Sequence, residues 1–330
     1  YTPFLKGSQR LTMERGGQWQ EEMDIKFLFI VGTPERNVID IKEIWPNGYH
    51  DYSDIIANKY FAPRKLPLES SGKYFNVKTS ITGHGQEGEF IPRNHYLKVG
   101  PTEQYAWQVW KDCGENPVYP QGGTWIYDRA NWCPGKRAQA FNHEITPHII
   151  AGDSIELNVD FQSYSWSGTQ TPSYIVECQL FQYEDANFSN SAEIVDIIKP
   201  SLKDEYSRKN PICGKPLITI RNYGSSPLTT LDIEYKVVGG NSHTYNWVGN
   251  LAFLETEDVE LPNLTSWQGS ENTFEVILSN PNGQVDDYLE NNTMKSEFEN
   301  VPEYPETFAL WVGTNGGVIN TFTQESETTW

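Results

Sequence analysis

Apolar and polar residues alternate along most of this chain, and the alternation has a period of two. In 25–31 (IKFLFIV), 74–81 (YFNVKTSI) and 154–161 (SIELNVDF), β-branched and aromatic residues recur over strand lengths. That is the pattern of strands with one face turned to a core. Turn clusters separate such runs at 46–48 (PNG), 121–123 (QGG) and 151–153 (AGD), where glycine, asparagine and proline supply the backbone angles a reversal needs. Only 191–198 (SAEIVDII) admits a helical period. The pattern predicts an all-β protein built of sandwiches or jelly rolls, with no helix beyond about three turns outside 191–198.

The character changes after 187–191 (NFSNS). Residues 217–228 read as a strand running into an Asn-x-Gly turn, and the module they open closes near 286–292 (DDYLENN). This module, 189–300, resembles the immunoglobulin-like adhesion modules appended to secreted bacterial enzymes, which implies a spacing or attachment role. Few contacts are expected between it and the part that precedes it. A further strand pattern, the start of another β segment, begins at 301 and runs to 330.

Composition narrows the function. Aromatic residues are 13% of the chain, with 11 Trp and 18 Tyr, a composition common in β proteins that handle carbohydrate. The balance of 25 basic against 44 acidic residues leaves a net charge of −19. Such a field repels phosphate backbones and anionic headgroups, so neither nucleic acid nor a membrane surface is an expected partner. No run approaches the roughly 20 apolar residues of a membrane span.

The run with the most chemistry is 123–135, GTWIYDRANWCPG. It follows neither strand nor helix period and sets Trp125, Asp128, Arg129 and Trp132 close together between two glycine turns. Such a loop either anchors itself to a core or builds a ligand surface. Arginine beside indole faces suits a sugar, with donors for hydroxyls and flat walls for the ring.

The same run resembles, almost letter for letter, a signature of the peptide:N-glycosidase F family, bacterial amidases that release N-linked glycans. Four other stretches are similar to that family: 29–34 (FIVGTP), 78–85 (KTSITGHG), Gly88-Glu89-Phe90 with Arg93 and His95, and 161–166 (FQSYSW). The resemblance covers about residues 1–185. It implies that 1–33 is the C-terminal remnant of a first jelly-roll domain and 34–188 a second jelly-roll β-sandwich holding the signature loop. It implies hydrolysis of the Asn–GlcNAc amide of an N-linked glycoprotein by carboxylate acid/base catalysis. No cofactor or metal is implied. Glu89 would be a catalytic acid, Glu14 a supporting carboxylate and Arg129 the cation that orients them. Trp125, Trp132, His84 and Asp128 would contact substrate. The family also bridges the cysteines matching Cys113 and Cys133, and closing that loop would stabilise the fold by about 3 kcal/mol on the chain-entropy model. Cys178 and Cys213, on either side of the expected domain boundary, are expected as buried thiols, with an interdomain bridge between them as the alternative. A bridge of this kind favours a secreted, periplasmic or cell-surface protein, here a monomer.

The sequence departs from the family at several points. The family's first-domain aspartate, in a Trp-Asp-Arg setting, would lie before Tyr1. Glu87 and Ile91 stand where the family has a second disulfide, and His84 and Gly16 stand where it has aromatics. A second reading therefore stays open: a catalytically incomplete glycan-binding or surface-adhesion protein on the same fold. A third, a copper monooxygenase, shares the double jelly-roll architecture. It would draw on His84, His95, His143 and His148, yet no His-x-His or His-Glu-x-x-His spacing occurs.

Overall fold

The computed structural model describes residues 31–118, 123–149, 153–211 and 214–301, with a few isolated positions beyond them. Glu14, Cys213, nearly all of the strand expected at 25–31 and most of 1–33 and 301–330 lie outside the described residues.

Eight strands come first: β1 (Arg36–Asp51), β2 (Arg64–Pro67), β3 (Tyr74–His84), β4 (Asn94–Val99), β5 (Thr102–Gln108), β6 (Ala140–Glu144), β7 (Ser154–Phe161) and β8 (Ser173–Ala186). They pair antiparallel in two four-stranded sheets, ordered β1-β8-β3-β6 and β2-β7-β4-β5. Two short helices interrupt them, α1 (Tyr52–Ile56) and α2 (Gln86–Glu89). The alternation in β3 does what the sequence pattern implies, burying Phe75, Val77, Thr79 and Ile81 and leaving Lys78, Ser80 and Thr82 half-buried. β8, hydrogen-bonded beside β3, adds Tyr174, Val176, Cys178 and Leu180, and the other sheet answers with Leu97, Leu157 and Val159. Trp45, Tyr52 and Phe61 complete this core.

Seven strands follow: β9 (Ala192–Lys199), β10 (Leu217–Asn222), β11 (Leu228–Val237), β12 (His243–Leu251), β13 (Thr256–Glu260), β14 (Thr273–Ser279) and β15 (Thr293–Glu297). They form antiparallel sheets ordered β13-β10-β9 and β12-β11-β14-β15. A second core of Ile194, Ile218, Ile220, Ile233, Trp247, Phe274 and Val276 lies between them. The longest helical segment among the described residues is a 3-10 turn, Asp204–Lys209.

One expectation is corrected. Residues 192–198 lie in strand β9, not in a helix. The β9–β10 pairing skips a residue between Ile194 and Asp196, so Ile194 and Ile197, three apart, both reach the core. A β-bulge of this kind imitates helical spacing. The two sandwiches touch at only a few places, as expected. The link between β8 and β9 is short, and Phe188 within it stacks on Tyr223 and Tyr288 at 5.7 and 4.9 Å. Phe253 of the second sandwich packs edge-on against Tyr74 of the first at 5.5 Å, and Arg208 Nε donates to the Asn116 carbonyl at 3.1 Å.

Candidate active site

The segment between β5 and β6 is the longest excursion from the first pair of sheets, and it contains the 123–135 run. Cys113 and Cys133 are disulfide-bonded, with Cα atoms 5.3 Å apart. Beside the bridge, Lys111 and Arg129 exchange both backbone hydrogen bonds, at 2.9 and 3.1 Å. Asn131 adopts a left-handed backbone, φ 65°, which asparagine tolerates better than most residues. Its buried amide donates to the carbonyls of Ile81 and Gln139. The loop is thereby tied to the end of β3.

The same strand end brings in Glu89. β3 runs to His84, Gly85 turns with φ 73°, and α2 follows at once. Gly83 makes this approach possible: a Cβ there would lie 1.9 Å from the Gly88 carbonyl oxygen and 2.7 Å from the Ala130 Cβ. Ala130 N donates to Glu89 O at 2.8 Å, and Gly83 N donates to Ala130 O at 3.1 Å. Strand end, helical turn and loop thus meet backbone to backbone.

Glu89 and Arg129, 40 positions apart, form an ion pair at this junction, Nη1 to Oε1 at 2.9 Å. Arg129 is 2% exposed. Its Nε donates to Tyr127 O at 3.2 Å, its Nη2 donates to Thr124 O, and its guanidinium lies over the Trp132 ring at 4.4 Å and the Phe90 ring at 4.9 Å. The cation is therefore fixed on every side, and Glu89, whose side chain keeps 14% exposure, is held by it toward solvent. Burial raises the proton affinity of Glu89 and the Arg129 charge partly offsets the rise. Burial lowers the pKa of Arg129, with Glu89 opposing.

The other predicted residues divide. Trp132 anchors the loop, donating Nε1 to the Gly83 carbonyl at 3.0 Å and stacking on the half-buried His84 ring at 5.8 Å. His84 shares a 2.9 Å hydrogen bond with the Thr82 hydroxyl, and burial lowers its pKa. Trp125 is 46% exposed at the loop tip. Asp128 accepts the Cys113 backbone N–H at 3.1 Å, a contact that braces the bridge. Trp132 and Asp128 thus anchor the loop, while Trp125 stays exposed at its tip.

Sequence reasoning missed Ile126 and Tyr127, which extend the exposed apolar tip beside Trp125. It also missed Asn131, although an asparagine in a glycine-bounded loop is a signal for a left-handed position. The histidines do not converge. His143 and His148 pack on the Tyr105 ring at 5.0 and 5.6 Å, and His95 is buried against Phe161, Trp107 and Tyr174. Among the described residues no group of three or more His, Cys, Asp or Glu could hold a metal ion. Cys178 is a buried free thiol whose pKa burial pushes up. No described helix is long and apolar enough to cross a membrane.

Residues 51–180 match the family described as Peptide-N-glycosidase F, C terminal. A curated relative, the peptide-N(4)-(N-acetyl-beta-D-glucosaminyl)asparagine amidase F of Elizabethkingia miricola, is 26% identical over 141 residues, 40% of this chain and 39% of its own. The present sequence therefore spans about two fifths of that relative's length. Among solved structures, a peptide-N(4)-(N-acetyl-beta-D-glucosaminyl)asparagine amidase is 20% identical with a TM-score of 0.40, covering 48% of this chain and 56% of that one. A glycosylasparaginase of Flavobacterium meningosepticum is 20% identical with a TM-score of 0.38, covering 47% and 55%. Residues 51–180 are thus similar to the C-terminal domain of peptide-N-glycosidase F.

Proposed function

We propose that this protein is part of an exported bacterial glycoamidase that hydrolyses the amide between a glycoprotein asparagine and its first N-acetylglucosamine. The observation that supports it best is the Glu89–Arg129 pair: a partly exposed carboxylate, its proton affinity raised by burial, held by a fully buried cation beside an apolar loop tip. Hydrolysis adds water across the amide C–N bond of the glycosylated asparagine. The water oxygen goes to the peptide, which becomes aspartate, and the nitrogen leaves with the sugar after gaining a proton. Glu89 can take a proton from the attacking water or return one to the leaving nitrogen. Arg129, with its donors engaged inward, acts as a positioning residue for Glu89. Trp125 and Tyr127 offer flat apolar surface for a sugar ring, with Trp132 and His84 behind them. Glu14 is proposed as the supporting carboxylate on the resemblance alone.

The strand orders β1-β8-β3-β6 and β2-β7-β4-β5 support reading 34–188 as a jelly roll. The three-plus-four strand arrangement supports an immunoglobulin-like reading of 189–300. The Cys113–Cys133 bridge favours an oxidising compartment, outside the cytoplasm. The test is deglycosylation of a model glycoprotein by the full-length protein, read as a mass shift with asparagine converted to aspartate. Turnover lost in Glu89→Gln with glycan binding retained supports the amidase. Binding with no turnover in the unsubstituted full-length protein supports the glycan-binding alternative.

A further inference from the structure

A cavity of about 620 Å³ opens where the base of the disulfide-closed loop faces the 3-10 turn Asp204–Lys209 of the second sandwich. Its walls hold Lys78, Lys111, Lys136, Arg137, Arg208 and Lys209, six of the protein's 25 basic residues, against two carboxylates, Glu115 and Glu205. A surplus of four positive charges in one concavity stands out on a protein with a net charge of −19.

Part of that charge is already placed. Lys209 pairs with Glu115 at 3.3 Å, and Arg208 donates to the carbonyls of Asn116 and Val118. Those contacts join the two sandwiches and shape the rim. Two others have no such partner. Among the described residues neither the Lys136 ammonium nor the Arg137 guanidinium has a carboxylate partner within salt-bridge distance, and Lys111 Nζ donates to the Arg137 carbonyl at 2.5 Å. Burial lowers the pKa of Lys111, and the charges of Lys136 and Arg137 lower it further. Like charges gathered around a concavity of this size are relieved by an anion.

The lining also favours one kind of anion. Gln139 and Asn142 offer amide donors and acceptors, and Tyr206 offers an aromatic wall. The volume falls in the range of small-ligand sites. A long polyanion would meet the strongly negative remainder of the molecule, whereas a small one would feel mainly the local surplus. We propose that this cavity binds an acidic sugar, one bearing a carboxylate or a sulfate. Because Lys111 is bridged backbone to backbone with Arg129, the site lies behind the loop that positions Glu89.

The proposal concerns binding and does not rest on amidase turnover, so its failure leaves that reading untouched. Calorimetric titration at low salt would compare N-acetylneuraminic acid, 6-sulfo-N-acetylglucosamine, uncharged N-acetylglucosamine, inorganic sulfate and inorganic phosphate. We expect one or both acidic sugars to bind at least tenfold more tightly than the neutral sugar and the inorganic anions, with affinity falling as salt rises. Which of the two binds decides between carboxylate and sulfate. Lys136→Gln combined with Arg137→Gln should weaken binding at least tenfold without lowering the melting temperature. The charge reversal Arg137→Glu, at an exposed position, gives a second reading should the double variant fold poorly. Equal binding of inorganic anions, unchanged affinity in the variants, or no binding of either acidic sugar would each overturn the proposal.

Discussion

In the second sandwich, three of the six strand connections are short turns, and the interior is closed by Ile220, Ile233, Phe274, Val276 and their neighbours. The first is made of similar sheets and admits different contents. Of the fifteen buried polar residues among those described, ten precede residue 189, including Arg36, His95 and Arg129. Burying such groups costs free energy unless each is hydrogen-bonded or paired. The loop of the first sandwich meets that requirement: Arg129 has Glu89 and two carbonyls, Asn131 has three backbone partners, and the loop holding both is closed by a disulfide. The difference teaches where chemistry can be housed. An apolar core holds strands together, while a polar interior must be braced before it can present a carboxylate in a defined direction.

The largest expected effect that would sharpen this comparison is on turnover. Glu89→Gln in the full-length protein should reduce N-glycan release by about 10²–10⁴-fold, with a stability change of no more than about 1–2 kcal/mol. Mass spectrometry of released product and a denaturant melt would read both. An undiminished rate would mean that the polar interior of the first sandwich serves structure alone, as the apolar core of the second does.

Phe274→Ala probes the other side. The ring is fully buried, so its loss should destabilise the second sandwich by about 3–5 kcal/mol. Glycan release by folded protein should stay unchanged. A proportional fall in activity would show that the two regions do not work separately.

Replacing both bridge cysteines, Cys113→Ser with Cys133→Ser, should lower the stability of the first sandwich by about 3 kcal/mol and leave the unfolding of the second in place. Guanidinium melts followed by limited proteolysis would separate the two. An equal loss in both would erase the contrast in bracing.

The smallest effect concerns pH. Burial pushes His143 down from 6.5 to about 4 and His95 down to about 3. His95 Nδ1 donates to the Arg93 carbonyl at 3.2 Å, which fits a neutral ring. Both folded values lie below the unfolded one, so the unfolded protein takes up protons first as pH falls. Their contribution to stability is full above about pH 6.5 and is lost progressively toward pH 4 and below. His143→Phe should remove up to about 1.4 kcal/mol per pH unit from the acid slope of the first sandwich between pH 6 and 4.5. An unchanged slope would place the acid sensitivity elsewhere.

Period-two alternation was enough to read the strands at 74–81 and 154–161, because a strand with one face on a core must repeat every second residue. The unusual density of Trp, Arg and Gly in 123–135 marked a loop for the same kind of reason: no regular element tolerates it. At 191–198 the local pattern misled, since a bulge lets residues three apart share a face and only pairing with β10 reveals it. That Glu89 meets Arg129 was expected from resemblance, but local pattern carries no such information. The meeting depends on β3 ending beside the loop, on Gly83 leaving room for Gly88 and Ala130, and on Asn131 turning the loop back. The basic cavity was wholly invisible in the sequence, where Lys78, Lys111, Lys136 and Arg208 are scattered over 130 positions. Local periodicity determined which residues face a core, because that choice depends on near neighbours in sequence. Which charged groups face one another was decided only in the tertiary structure, because Coulomb and hydrogen-bond energies depend on distance in space.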